Sequence, residues 1–286
     1  MKHTPFFSII IPTLNEEICL PLLLEDLSKQ SYTNFEVIHV DGESKDNTIK
    51  NIQKFTKELN LKTITTNIRN VSHQRNAGIP QATGDWIIFM DADNRVEPSF
   101  FDGIRYRLAQ NPNTELFSTW VSISEDKALN LSIERTINFG LELGKKVGKE
   151  WSFGALIGVQ RKILTPKFYF DMNQKVGEDG IFMKKLVDAG YNFSIFKDPK
   201  YTYSVRRLTT EGTITVARNA AKIALNYFQG KDFSEEDFGY KMEGGSAYIK
   251  KPFFTERTIL PFIKNATAKQ LKQAKELFRY LTKIGF

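Results

Sequence analysis

A single cysteine, Cys19, stands in a chain of 286 residues. A lone thiol closes no intramolecular disulfide and supplies too few ligands for a cysteine-based zinc site, so both scaffolds are excluded. No stretch approaches the ~18 consecutive apolar residues of a membrane-spanning helix. The apolar run that opens the chain, residues 6–11, is shorter and more β-branched than the core of a secretory leader, so a cytoplasmic location is expected. Glycine is missing where two enzyme classes need it. Pro12-Thr13-Leu14-Asn15, directly after that run, contains none, and no Gly-x-Gly-x-x-Gly turn follows a strand-like segment. Nucleotidyl transfer and hydride transfer from a dinucleotide are set aside on that ground.

What is present describes a folded, water-soluble protein: 41% of residues are hydrophobic and 26% charged. The length suits one large domain with an appendage, or two small domains. Charge divides the chain. Residues 181–286 hold 19 basic and 10 acidic side chains, whereas residues 1–180 hold 21 and 23, so the net +7 belongs to the C-terminal part. A basic face of that kind meets phosphate-rich partners or is simply a solvated helix surface. It contains no recognised nucleic-acid-binding module, so nucleic acid is not expected as a partner.

Hydrophobic periodicity divides the first ~120 residues into strands at 6–11, 35–40, 61–66 and 85–90, separated by helices at 16–28, 46–59 and 72–82. Asn15 and Ser72 are candidate N-caps, and Pro21 marks a late start or a kink in the first helix. Strands alternating with helices of this length build βαβ units, hence a doubly wound α/β layer around a parallel sheet. Further helices are expected at 99–109, 132–145 and 178–189, with strands at 116–123 and 191–196. From Glu211 onward the pattern is mostly helical, ending in an amphipathic helix over 267–283. The division is a catalytic domain over 1–210 and a helical extension over 211–286.

In open sheets of this kind ligands bind beyond the carboxyl ends of the strands, so the loops there carry the chemistry. The fourth strand runs into Met90-Asp91-Ala92-Asp93-Asn94. Two carboxylates so close repel each other unless a hard divalent cation neutralises them, and such a cation in turn holds a diphosphate. The second strand ends in Asp41-Gly42-Glu43-Ser44-Lys45-Asp46-Asn47-Thr48, where Asp41 is placed to accept from a base or ribose while Asp46 and Thr48 cap the next helix. The first ends in Pro12-Thr13-Leu14-Asn15-Glu16. Arg75 sits in Arg75-Asn76-Ala77-Gly78, ahead of the Asp-Ala-Asp strand, where it faces a phosphate or makes a surface ion pair.

These segments, with Gly84-Asp85 and the later Gly177-Glu178-Asp179 followed by Leu186, Gly190 and Tyr191, resemble the family 2 glycosyltransferases over about residues 6–205. The resemblance implies the GT-A fold, a Rossmann-like nucleotide-diphospho-sugar transferase layer. It further implies a nucleotide-sugar donor, a manganese or magnesium ion, and transfer with inversion. Carried over by position, Pro12, Thr13 and Glu16 line the nucleotide, Asp41 meets the base, and Arg75 lies near the ribose-diphosphate. Asp91 contacts ribose or metal-bound water, Asp93 binds the metal, Asp179 is the base and Glu178 orients it or the acceptor. Acidic first-turn residues that merely suit the helix dipole are the other reading of Glu178-Asp179.

The chain departs from that family in two places. Its three histidines, His3, His39 and His73, include none late enough to complete the metal shell, leaving Asp93, diphosphate and water. The Gln-x-x-Arg-Trp motif of processive synthases is missing too, which favours transfer of one sugar. Tyr203-Ser204-Val205-Arg206-Arg207 takes that place, with Arg206 and Arg207 neutralising the leaving diphosphate or forming a basic surface strand. UDP is the preferred nucleotide on family frequency, and a glycan or lipid-linked hydroxyl is the expected acceptor. A catalytically inactive binding module of the same fold is the rival. The helix at 267–283 carries Leu271, Ala274, Leu277, Phe278 and Leu281 on one stripe among lysines and arginines. It packs on the catalytic domain or offers peripheral contact to an anionic membrane.

Overall fold

The computed structural model describes residues 5–123, 128–146, 155–174, 177–204, 206 and 244–245. Eight strands follow in order: β1 (Phe7–Thr13), β2 (Phe35–Asp41), β3 (Leu61–Thr65), β4 (Trp86–Met90), β5 (Arg95–Val96), β6 (Leu116–Ile123), β7 (Leu156–Gln160) and β8 (Phe193–Tyr203). Six α-helices accompany them: α1 (Cys19–Ser28), α2 (Thr48–Ile52), α3 (Val71–Gly78), α4 (Phe100–Gln110), α5 (Ala128–Lys146) and α6 (Glu178–Asp188).

All strands join one sheet in the order β3-β2-β1-β4-β7-β6-β8-β5. The first four are parallel, as the βαβ spacing predicts. The sheet is not parallel throughout, however. β7 runs antiparallel to β4 and to β6, β8 is parallel to β6, and the two-residue β5 is antiparallel to β8. A short apolar run such as Leu156–Gln160 fits a buried strand in either direction, so its sequence carries no sign of the reversal.

The sheet is covered on both faces. Ile9 and Ile11 of β1 pack with Leu20, Leu23 and Leu24 of α1 and with Phe100, Phe101 and Ile104 of α4. Ile10, pointing the other way, packs with Ile38, Val40 and Ile79 and shares its layer with Phe182, Met183 and Leu186 of α6. Each of these fully buried side chains contributes about 1.5–3 kcal/mol. Gly78 lets α3 lie close on β1: a Cβ there would stand 2.7 Å from Ile10 Cγ2. That approach carries Arg75, almost one turn earlier in α3, to the sheet edge where β4 ends.

Local contacts revise several expected boundaries. Helix α1 begins at Cys19 because the backbone amides of Glu16 and Glu17 donate instead to Thr48 Oγ1 (2.8 Å) and Asp46 Oδ2 (3.2 Å). Pro21 then falls in the first turn, where no backbone donor is needed. Asn15 is no cap: it adopts φ 54°, and its Oδ1 accepts from Lys45 N at 2.8 Å. Asn70, not Ser72, caps α3, accepting from His73 N at 2.9 Å. The long second helix is two pieces, α2 and a 3-10 turn over Gln53–Thr56. The helix expected at 267–283, and all of the extension except Gly244 and Gly245, lie outside the described residues.

Candidate active site

The loops after β1, β2 and β4 converge at one edge of the sheet, joined there by the start of α6 and the end of β8. Gln74 ties the first two together, donating from Nε2 to Thr13 O (2.7 Å) and Val40 O (2.9 Å). Pro12 lies opposite Val40 and Thr13 opposite Asp41 in the β1–β2 register. Asp41, 2% exposed, accepts from Thr13 Oγ1 (3.1 Å), Ser44 Oγ (2.6 Å) and Ser44 N (2.8 Å). Thr13 Oγ1 also lies 2.7 Å from His39 Nε2. Neither Asp46 nor Thr48 stands at the cap of α2: Asn47 holds that position without a side-chain cap hydrogen bond, Asp46 one residue earlier accepts from Thr48 N at 2.9 Å, and Thr48 Oγ1 accepts from Glu16 N.

The Asp-Ala-Asp loop is fixed by its backbone. Asp91 N donates to Ala155 O (3.1 Å), Asn94 N to Asp91 O (3.2 Å), and Asn94 Nδ2 to Ala155 O (2.5 Å), while Ala92 is buried beneath. Both aspartate side chains point toward cations. Arg75 is 2% exposed, so it makes no surface ion pair. Its Nη2 reaches Asp91 Oδ1 at 3.1 Å, its Nη1 reaches Glu178 Oε1 at 2.9 Å, and its guanidinium lies over the Phe170 ring. Burial pushes the Asp91 carboxyl up to about 6, and the neighbouring Asp93 and Glu178 add to that against the opposing charge of Arg75.

Arg206 clasps the other side. Its Nη1 and Nη2 meet Glu16 Oε2 and Oε1 at 2.8 and 2.6 Å, and its Nε meets Asp93 Oδ2 at 2.9 Å. The basic surface strand foreseen as an alternative for Arg206 is thereby ruled out: the side chain turns inward. Arg207 lies outside the described residues. Burial raises the pKa of Glu16, with Asp93 and Asp91 contributing repulsion and Arg206 opposing. The Cys19 thiol, 3.4 Å from Arg206 Nη1, is pushed up to about 11 by burial and stays protonated. Gly245 packs on the same carboxylate: a Cβ there would stand 2.2 Å from Glu16 Cδ, and its N–H donates to Leu14 O at 2.8 Å.

Asp179 and Glu178 occupy the first turn of α6, after Gly177 at φ 73°. Gly180 N donates to Asp179 Oδ1 at 2.8 Å. The Tyr201 hydroxyl is buried and has no hydrogen-bond partner among the described residues, with Asp91, Asp93 and Asp179 in electrostatic reach.

Five carboxylates (Glu16, Asp91, Asp93, Glu178 and Asp179) thus share the cleft with two guanidinium groups. Among the described residues no three His, Cys, Asp or Glu side chains form a ready-made metal cage. The donor set still fits a hard divalent cation, which commonly takes one or two carboxylates and fills its remaining positions with phosphate oxygens and water. Sequence reasoning brought Glu16, Arg75, Asp91, Asp93, Glu178, Asp179 and Arg206 to this cleft. It missed Gln74, Ser44 and Gly245, whose roles arise only from contacts between distant segments.

Residues 8–198 match the family model described as glycosyl transferase family 2. The poly(ribitol-phosphate) beta-N-acetylglucosaminyltransferase TarS of Staphylococcus aureus is 38% identical over 205 residues, 70% of this chain and 36% of TarS. A PGL/p-HBAD biosynthesis glycosyltransferase of Mycobacterium bovis is 38% identical over 92 residues, 32% of this chain and 36% of its own length. The chain therefore spans about a third of the curated relatives it matches. Among solved structures, S. aureus TarS 1–349 in complex with UDP-GlcNAc aligns with a TM-score of 0.56 and 23% identity, covering 69% of this chain and 58% of that one. The mannosyltransferase PcManGT from Pyrobaculum calidifontis, in complex with GDP-Man and Mn2+, aligns at 0.61 and 19%, covering 80% and 64%. At these identities the likeness is one of fold, and the fold is GT-A.

Proposed function

The chain belongs to glycosyl transferase family 2, and on that premise we propose that it is a metal-dependent inverting glycosyltransferase. It moves one sugar from a nucleotide-sugar, by preference a UDP-sugar, to a hydroxyl of a glycan or lipid-linked acceptor. The observation that carries this reading is the cleft itself, where acidic groups on the loops after β1 and β4 and in the first turn of α6 are cross-tied by Arg75 and Arg206. The UDP preference draws on TarS, which has been solved with UDP-GlcNAc and with UDP.

Residue by residue, Pro12 and Thr13 line the nucleotide and Asp41 accepts from its base. Asp93 and Asp91 would hold Mn2+ or Mg2+, which when bound supplies positive charge to the diphosphate. Arg75 bridges Asp91 and Glu178, offsetting the repulsion between the two carboxylates and holding both in fixed positions. Arg206 holds a second positive charge beside the place where diphosphate leaves. Asp179 takes the acceptor proton as the acceptor oxygen bonds to the anomeric carbon and the bond from that carbon to the diphosphate oxygen breaks on the opposite face. Glu178 orients the acceptor.

The catalytic domain runs to residue 210 in this reading. Gly244-Gly245 of the extension over 211–286 come back to the nucleotide loop, and the basic, amphipathic sequence of residues 267–283 suits contact with an anionic membrane surface where a lipid-linked acceptor resides. Among the described residues no helix is long and apolar enough to cross a membrane. A cytoplasmic enzyme touching the membrane at its periphery fits both points.

Calorimetry with UDP and Mn2+ tests the assignment. The Asp93→Ala variant is expected to fold and to lose the manganese-dependent part of UDP affinity. Unchanged affinity sinks the metal role of Asp93. Release of UDP from a UDP-sugar by the wild-type protein separates a working transferase from a binding module that has lost turnover.

A further inference from the structure

We infer that Phe170 is a positioning residue for the reaction: its ring transmits the placement of Arg75 to the first turn of α6, where Glu178 and Asp179 stand. The inference rests on the reading of Asp179 as the acceptor base.

The frame comes from α3. Asn76 grips residue 170 by its backbone, its Nδ2 donating to Phe170 O (2.8 Å) and its Oδ1 accepting from Phe170 N (2.9 Å). Asn70, the cap of the same helix, donates to Met172 O at 3.1 Å. The connection from β7 to α6 is therefore pinned to α3 a few residues before Glu178, and the Phe170 side chain turns into the core. There its ring lies nearly parallel to that of Phe182, with 9° between planes and 3.9 Å between centroids. Phe89 of β4 stands close to perpendicular to both. At 3.9 Å Phe182 leaves no room on its face of the ring, so the Arg75 guanidinium, 5.2 Å from the centroid, covers the other.

Cation and rings belong together. Two aromatic faces that overlap this closely bring like quadrupoles together, which is less favourable than an offset or edge contact. A cation on the outer face draws on the same electron density and offsets that repulsion. Phe182 lies four residues after Glu178 and so on the same side of α6. Arg75 thus holds the front of α6 at two points, through its own bond to Glu178 (2.9 Å) and through the stack to Phe182. Met183 and Leu186 seat the rest of the helix in the apolar layer. Loss of the ring loosens the first turn and leaves the helix seated.

Phe170→Leu in the full chain tests this, because leucine keeps apolar bulk but offers no flat face. UDP affinity in the presence of Mn2+, read by calorimetry, is expected to stay within about two-fold. Hydrogen exchange is expected to quicken about ten-fold or more at the amides of 180–182 and to change little at 186–188. UDP release from UDP-GlcNAc is expected to fall about ten-fold or more, as a displaced catalytic group implies. Phe182→Leu should show the same pattern, and the double variant should release UDP no more slowly than the slower single one, since the stack is lost only once. Wild-type exchange and release in Phe170→Leu overturn the inference. So does a loss of UDP affinity as large as the loss of release, since the ring then supports the cleft at large. If Phe170→Leu does not fold, Phe182→Leu decides on the same readouts. Asp179→Asn separates the two claims. Release at the wild-type rate there refutes the base, and the inference with it. Impaired release there, beside normal release in Phe170→Leu, refutes the inference alone.

Discussion

Replacing Arg206 with glutamine removes the guanidinium that meets Glu16 and Asp93, two charged hydrogen bonds and one ion pair. The two carboxylates are 9% and 15% exposed, and Arg206 itself 19%. Breaking a fully buried pair by removing one partner costs about 3–5 kcal/mol. Partial solvent access lowers that here to about 2–3 kcal/mol, or a fall of roughly 4–12 °C in Tm for a domain of this size. The loss should be conditional. Without Arg206 the acidic cleft attracts a divalent cation more strongly, so millimolar Mn2+ should restore part of the lost Tm and raise the variant's Tm by more than it raises that of wild type. Thermal scans across a manganese titration read both effects. An unchanged Tm in Arg206→Gln, or equal manganese shifts in the two proteins, would refute the electrostatic account of the clasp.

Two further outcomes follow from buried groups. The His39 imidazole is held down to about 4, below its ordinary 6.5, so its contribution to stability is complete above about 6.5 and is lost as pH falls toward 4. The loss approaches about 3 kcal/mol, and denaturant titrations at pH 7 and 4.5 should show His39→Gln losing less than wild type. Tyr201→Phe removes a buried hydroxyl that has no partner among the described residues and should leave stability unchanged or raise it by up to about 1–2 kcal/mol, read as an equal or higher Tm. A clear fall would mean that the hydroxyl is satisfied after all.

Some of this architecture is written locally, and some is not. The parallel half of the sheet follows from apolar runs spaced by helices, and Asp91 and Asp93 stand out because two acids so close after an apolar strand repel each other unless a cation lies near. The antiparallel half is silent, since Leu156–Gln160 reads the same in both directions. The start of α1 was misplaced because Glu16 and Glu17 look like good first-turn residues. Their amides are instead claimed by Asp46 and Thr48, about 30 positions away. The Arg206 clasp spans 190 residues, beyond any periodicity. His39 has no local signature either, and only the fold shows that all seven positions of β2 are buried. Of the two readings of Arg75, a phosphate contact or a surface ion pair, burial closes the second, where Gly78 lets α3 press on β1.

Transfer from a UDP-sugar by Asp179→Asn, measured beside donor affinity in the same preparation, tests the central claim most directly. The substitution is nearly isosteric, keeps the oxygen that accepts from Gly180 N, and removes only proton acceptance. Donor affinity should match wild type while transfer falls by about 10²–10⁴. Transfer within a few-fold of wild type would contradict the account, because the acceptor proton would then be leaving by way of another group.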